Sequence, residues 1–325
     1  MVNSWEKIMI IAMSKTDFYN KRNVRIALNN YLAEFSHKSV FYSNDEINSL
    51  IISALRIGDG NILTLETNKR NPKRLINTDL IISWIQQRIV PNTMIIKTDD
   101  PDLLRLAIFS LAMPYKMFQG STRATVTEKT RRSKKRDFEQ IFSDTFIGKI
   151  GEIAFKKFLL NKFSRKIDLD WEISDQIADF KSDIPNSKKI VSIKSTDTLD
   201  SIWAEAPQNA DIGIFVKVAI PKDFFMKILA HISSLKKFLR FVEERLEKDD
   251  SVSKLLNFVE ETAYSEEMQI KACILGYYFT APEFLKRKGE EIPFLGEVHE
   301  DKFMIEYNKL LSTDNDWKNF IEVAL

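Results

Sequence analysis

Three short stretches hold residue types that could carry out hydrolytic chemistry together: GKIGE at 148–152, ADF at 178–180 and IVSIKST at 190–196. Hydrolysis of a phosphodiester needs carboxylates that hold a divalent cation against the phosphate, and a basic or cationic group that positions and activates water. Magnesium takes hard oxygen ligands, commonly one or two carboxylates completed by phosphate and water. Glu152, Asp179 and Lys194 are of these types. The apolar run around 190–195 predicts a strand. A period of two then puts Ser192 and Lys194 on one face of it. Glu152 falls on a predicted helix directly after Gly151, where the missing side chain permits a close backbone approach.

Each residue also has a plainer role open to it. Glu152 has Lys149 and Lys156 at i−3 and i+4, so it could be a solvated helix residue making pairs of roughly 0.2–0.5 kcal/mol. Asp179 could be a turn residue. Lys194 could guard a strand edge. The order and spacing of all three, on the expected element types, favour the joint reading.

That arrangement resembles the PD-(D/E)xK nuclease superfamily, and within it the type II restriction endonucleases. The likeness rests on a helix glutamate (Glu152), a following aspartate (Asp179) and a hydrophobic strand ending in Lys194. It spans about 50 residues directly, and by architecture 137–325. It implies a restriction-endonuclease-like α/β (α+β) fold, a mixed central sheet flanked by helices, and Mg²⁺ held by Asp179 and Glu152. It implies hydrolysis of double-stranded DNA with Lys194 acting on the water, a two-fold homodimer, and a cognate DNA methyltransferase as partner system. One departure stands out: Ser192 occupies the place of the motif's second acid. Glu152 could supply the missing carboxylate; so could Glu205, if the intervening segment is helical. Asp183 competes with Asp179 for the metal position. Beside the restriction enzyme stand a structure-specific or repair nuclease of the same superfamily, a non-catalytic DNA-binding protein with a degenerate nuclease domain, and an unrelated α/β protein with an accidental motif.

The elements that must position these residues fall into two units. Residues 1–120 read as mainly helical. Helical periodicity covers Phe18–Phe35, and Ser43 with Glu46 forms a capping box ahead of Ile47, Leu50, Ile51, Ala54 and Leu55. Gly58 stops that helix, so Gly58-Asp59-Gly60 is a C-cap turn and not a phosphate loop. Strands are predicted over 61–67 and 94–98, with a helix from Thr78 to Val90 ended by Pro91 and another opening at Pro101. Helices, a strand and the basic stretch 68–74 resemble a small winged-helix DNA-recognition unit. Residues 121–136 form a basic linker. Within 122–136, seven Lys/Arg face one acid, Glu128, and Arg131, Arg132, Lys134, Lys135 and Arg136 suit non-specific phosphate contact. From 137 the chain reads as a catalytic unit: a helix over 143–162, strands over 166–173, 190–195, 212–220 and 272–280, and helices over 224–247 and 252–264.

Composition narrows the chemistry further. A single cysteine, Cys273, excludes an intrachain disulfide, and the dispersed His37, His231 and His299 offer no zinc spacing. Cysteine proteases, zinc deaminases and His-centred nucleases are disfavoured. The 325 residues carry a net charge of only +2, so any nucleic-acid surface is local. No stretch reaches the roughly 18 apolar residues of a membrane span. No secretory leader is visible, and a reducing, cytoplasmic setting is expected.

Overall fold

The computed structural model describes residues 11–13, 42–59, 63–66, 73–76, 78–97, 100–118, 138–171, 182–221 and 269–325, with scattered helical positions between 224 and 257. The first described element is β1 (Ile11–Met13), which joins β2 (Leu63–Glu66) and β3 (Lys73–Ile76) in a small antiparallel sheet of order β1-β3-β2. Helix α1 (Asn44–Ile57) lies between them in sequence. Its start is fixed by a reciprocal cap: the Glu46 N–H donates to Ser43 Oγ, and the Ser43 N–H donates to the Glu46 carboxylate. Gly58 ends it in the left-handed conformation, φ 69°. Asp59, next in line, is buried and accepts the Trp84 Nε1–H at 2.9 Å, a structural role.

Helix α2 (Thr78–Trp84) runs on through a π turn and a 3₁₀ turn around Pro91 into β4 (Thr93–Lys97). Helix α3 (Pro101–Phe118) follows, and after the basic segment comes α4 (Phe138–Phe163), which begins five residues before the span its periodicity predicts. The remaining strands are β5 (Val191–Thr196), β6 (Trp203–Pro207), β7 (Ile212–Ala219), β8 (Gln269–Phe279), β9 (Leu285–Lys286), β10 (Glu291–Ile292), β11 (Gly296–Glu297) and β12 (Lys302–Glu306). Helix α5 (Asp314–Ala324) closes the chain.

The architecture is mixed α/β. A central four-stranded sheet runs β4-β8-β7-β5, with β5 parallel to β7 and the other neighbours antiparallel. Its first strand comes from the residues ahead of the basic segment. One face is covered by α3, α4 and α5: Ile150, Ile153, Ala154 and Trp317 pack with Val191, Ile193, Ile214 and Ile270. The other face is covered by α1 and the α2 region, where Ile47, Leu50 and Ile85 pack with Phe215, Cys273 and Tyr278. Each fully buried large apolar side chain here contributes roughly 1.5–3 kcal/mol. Being covered on both sides, β7 is buried along its whole length, as its apolar run implies. A second sheet, β6-β12-β9, adjoins this second core, and the β10–β11 hairpin packs Ile292 into a small cluster of its own with Val298, Met304 and Trp203.

The strand expected over 166–173 does not form in its described part. Ile167 and Leu169 are buried with the exposed Asp168 between them, so the segment alternates like a strand, but no ladder forms with it among the described residues. The expected helix at 18–35 lies outside the described residues. Among the described residues, no helix is long and apolar enough to cross a membrane.

Candidate active site

Helix α4 lies against β5, and that approach depends on one residue. A Cβ on Gly151 would sit 1.7 Å from Ser195 Oγ and 2.9 Å from Ser195 Cβ. Gly151 therefore lets the helix settle on the strand, and the adjoining Glu152 is carried inward with it. Glu152 is buried and so is Lys149, one turn earlier. Lys149 Nζ donates to Glu152 Oε2 at 2.6 Å and to the Asp170 carbonyl, and lies 5.3 Å from the ring centroids of both Phe109 and Trp171. The pair is thus no solvated helix-surface contact. Lys156, the other basic neighbour, turns instead to Asp102 at 2.7 Å.

Strand β5 is an edge strand, with its outer backbone groups open to whatever lies alongside. Residues 182–187 fill that role. The Asp183 N–H donates to the Val191 carbonyl at 2.9 Å, and the Val191 N–H donates to Ser182 Oγ at 3.1 Å. One step on, the Ile193 N–H donates to Asp183 Oδ2 at 2.6 Å. Asn186, in the left-handed region at φ 64°, turns the chain back toward β5. Asp183 is therefore fixed at the strand edge, between the face that packs on α4 and the face that carries Lys194.

The electrostatics tie these groups together. Burial first, and then the Asp183 charge, push the Glu152 carboxyl up to about 8 against the opposing Lys149 charge and hydrogen bond. Asp183 is itself raised by burial, against the Ile193 N–H and the Lys194 and Lys149 charges. Asp183 retains a partly accessible surface, whereas Glu152 is nearly enclosed. The Asp183 charge raises the proton affinity of Glu152, while Lys149 opposes it at Glu152 and Lys149 and Lys194 oppose it at Asp183. A divalent cation beside the two carboxyls would favour their ionised forms, and hard carboxylate oxygens are the donors magnesium prefers. Glu152 and Asp183 are thus of the donor type that a magnesium site completed by water and phosphate uses. Among the described residues, no group of three or more His, Cys, Asp or Glu is arranged to hold a metal by itself.

The other sequence candidates are distributed as follows. Ser192 and Lys194 do share a face of β5, the face turned away from α4, since Ile193 between them packs into the α4 core. Ser192 is fully buried beside Gly213, with the Tyr278 ring over that glycine, and its Oγ has no hydrogen-bond partner among the described residues. Lys194 is exposed and lines a cavity of about 430 Å³ with Arg56, Asp200, Trp203 and Glu205. Glu205 is not on a helix; β6 pairs with β12, and Glu205 accepts Lys302 Nζ at 2.7 Å. Glu205 shares the cavity with Lys194 but is not among the charges acting on Glu152 or Asp183. Asp179 lies outside the described residues, as do Arg131, Arg132, Lys134, Lys135 and Arg136. The structure adds Lys149 and Asp170 to the site. Lys149 was visible in the sequence as a helix neighbour of Glu152, but nothing local marked the pair as buried.

No family model, curated protein or solved structure matches the chain.

Proposed function

We propose that the protein is a Mg²⁺-dependent endonuclease hydrolysing phosphodiester bonds of double-stranded DNA, of the type II restriction kind. The observation that carries this reading is the cluster of charged groups at the outer edge of β5. The Asp183 carboxylate is held there on the Ile193 N–H, and its charge acts on Glu152 from one side while Lys194 acts on it from the other. Glu152 and Asp183 would hold the magnesium, which supplies Lewis-acid polarisation of the phosphate when bound. Lys194 would orient the attacking water, whose proton leaves to solvent, and its positive charge would offset charge in the transition state. Lys149 holds the Glu152 carboxylate in place through their 2.6 Å hydrogen bond. The basic run Arg131–Arg136 would bind phosphates without reading sequence. A two-fold homodimer cutting both strands, paired with a cognate methyltransferase, completes the restriction reading.

The test is cleavage of unmethylated plasmid and phage DNA by wild type and by the Glu152→Gln, Asp179→Ala, Asp183→Ala and Lys194→Ala variants, in Mg²⁺ and in EDTA. Discrete Mg²⁺-dependent fragments, lost in the Glu152, Asp183 and Lys194 variants, are expected. Retained binding with no cleavage of any substrate, methylated and branched DNA included, would replace this reading with a DNA-binding module.

A further inference from the structure

The cavity beside Lys194 has a feature that the hydrolytic site does not use. Its rim is formed by Phe294, at the tip of the β10–β11 hairpin, in a left-handed conformation with φ 65°. A bulky residue rarely adopts this conformation, and one that does is held there by its surroundings. Burial does not compensate, because Phe294 remains 49% exposed. The hairpin tip is instead tied from outside: Trp203 Nε1–H donates to the Pro293 carbonyl at 2.9 Å, and the Arg56 guanidinium lies 4.8 Å from the Phe294 ring centroid. Arg56 is fixed in turn by donating to the Asp200 carbonyl at 2.8 Å, with the Asp200 carboxylate 3.5 Å away. A strained, exposed aromatic ring is thus propped in place at the mouth of a polar cavity.

We propose that this cavity is a subsite for one unstacked nucleotide of the substrate strand, with its base against Phe294 and its phosphate toward Lys194 and Arg56. The inference rests on the nuclease reading and names the part of the substrate next to the cut. Three properties of the cavity select this occupant. It has a flat π-face, on which any base stacks. It has cationic groups, Lys194 and Arg56, for a phosphate, and a carboxylate acceptor, Glu205, for the N–H groups of a base edge. Its volume of about 430 Å³ lies in the range of small-ligand clefts. Because Lys194 also neighbours Asp183, a nucleotide bound here adjoins the phosphate that the hydrolytic site would attack.

The probe is fluorescein-labelled tetrathymidylate, titrated by anisotropy into the full chain in EDTA, so that binding is read without cleavage. Phe294→Ala should weaken binding about ten- to a hundred-fold, the range of base stacking, and Phe294→Trp should preserve it. Ile108→Ala, which removes an exposed apolar side chain on α3, should leave it unchanged. Circular dichroism of each variant verifies the fold. The proposal is overturned if Phe294→Ala binds as wild type does, or if inorganic phosphate displaces the probe as well as thymidylate does at equal concentration. Failure of the nuclease reading looks different. Binding that depends on Phe294 without cleavage in Mg²⁺ removes the hydrolase and keeps the subsite; cleavage with binding indifferent to Phe294 does the reverse.

Discussion

Replacing Glu152 by glutamine probes the electrostatic core of the site without reference to any substrate. The carboxyl is raised from 4.5 to about 8, first by burial and then by Asp183. A carboxyl that binds its proton more tightly when folded than when unfolded makes the folded state lose stability as pH rises between those two values. Its contribution is complete below about 4.5 and gone above about 8. The limiting slope is about 1.4 kcal/mol per pH unit, or roughly 4 kcal/mol from pH 5 to pH 8. Relaxation and water penetration around a buried charge reduce this to about 2–4 kcal/mol. Glutamine keeps the shape and cannot ionise. It leaves Lys149 with a weaker acceptor, a cost that is nearly constant with pH while Lys149 stays charged. The slope is therefore diagnostic where the absolute difference is not. Urea denaturation of both proteins in EDTA between pH 5 and pH 9 should show the variant gaining on wild type through this window and levelling off above pH 8. Saturating Mg²⁺ should then restore wild type alone, by about 2.7 kcal/mol at a hundredfold excess over Kd. A difference between the two proteins that stays flat with pH refutes the coupled-carboxylate reading.

Four further expectations follow from the same geometry. Mg²⁺ affinity should rise with pH up to about 8, with close to one proton released per metal bound, because Glu152 must ionise to ligate; calorimetry in buffers of different ionisation enthalpy reads this directly. Gly151→Ala should destabilise the protein by about 1–3 kcal/mol through overpacking of α4 on β5, and the added change Ser195→Gly should recover most of it in thermal melts. Lys217 is fully buried, with Nζ donating to Ser53 Oγ and the Leu199 carbonyl at 2.7 Å each, and burial lowers it to about 7. Relative to Lys217→Met, wild-type stability should therefore rise with pH from about 7 to 10, and above pH 8, where the Glu152 slope has ended, wild type should rise in absolute terms while the variant stays flat. Cys273 is buried and its thiol is pushed up to about 11 by burial, so a thiol reagent should modify it only at the rate of unfolding; rapid labelling of folded protein would contradict its placement.

What could be read in advance followed the range of the interactions involved. Capping of α1 by Ser43 and Glu46, its stop at Gly58, the helix carrying Glu152 and the apolar strands β5 and β7 depend on neighbours within a few residues, and their patterns were plain. β6 and β12 were not, because WAEAP and KFMIE are short, half polar and become strands only by pairing with each other across about a hundred residues. Their pairing is also why Glu205 answers to Lys302 and not to Glu152 or Asp183. The alternation at 166–171 was visible and misled, since period two marks an extended chain and does not supply a partner strand. Burial of the Lys149–Glu152 pair depends on Phe109, Trp171 and the Asp170 carbonyl, none of them local to the helix.

The outer edge of β5, unlike the sheet's centre, can take a carboxylate on its backbone. Inside the sheet, backbone groups are taken by neighbouring strands, and inserting a carboxylate would break a ladder. At an edge, outward N–H groups still need acceptors, and a carboxylate satisfies one at the strength of a charged hydrogen bond. Asp183 does this at Ile193, one residue before Lys194. The same bond that closes the edge therefore holds an acid beside a lysine and within electrostatic reach of a helix glutamate. Asp183→Asn separates the two roles, because the amide oxygen can still accept the Ile193 N–H while the charge is lost. Loss of cleavage and of Mg²⁺ binding with thermal stability unchanged or raised assigns the carboxylate to chemistry. Unaltered cleavage in this variant would leave Asp183 as an edge cap and return the metal position to Asp179.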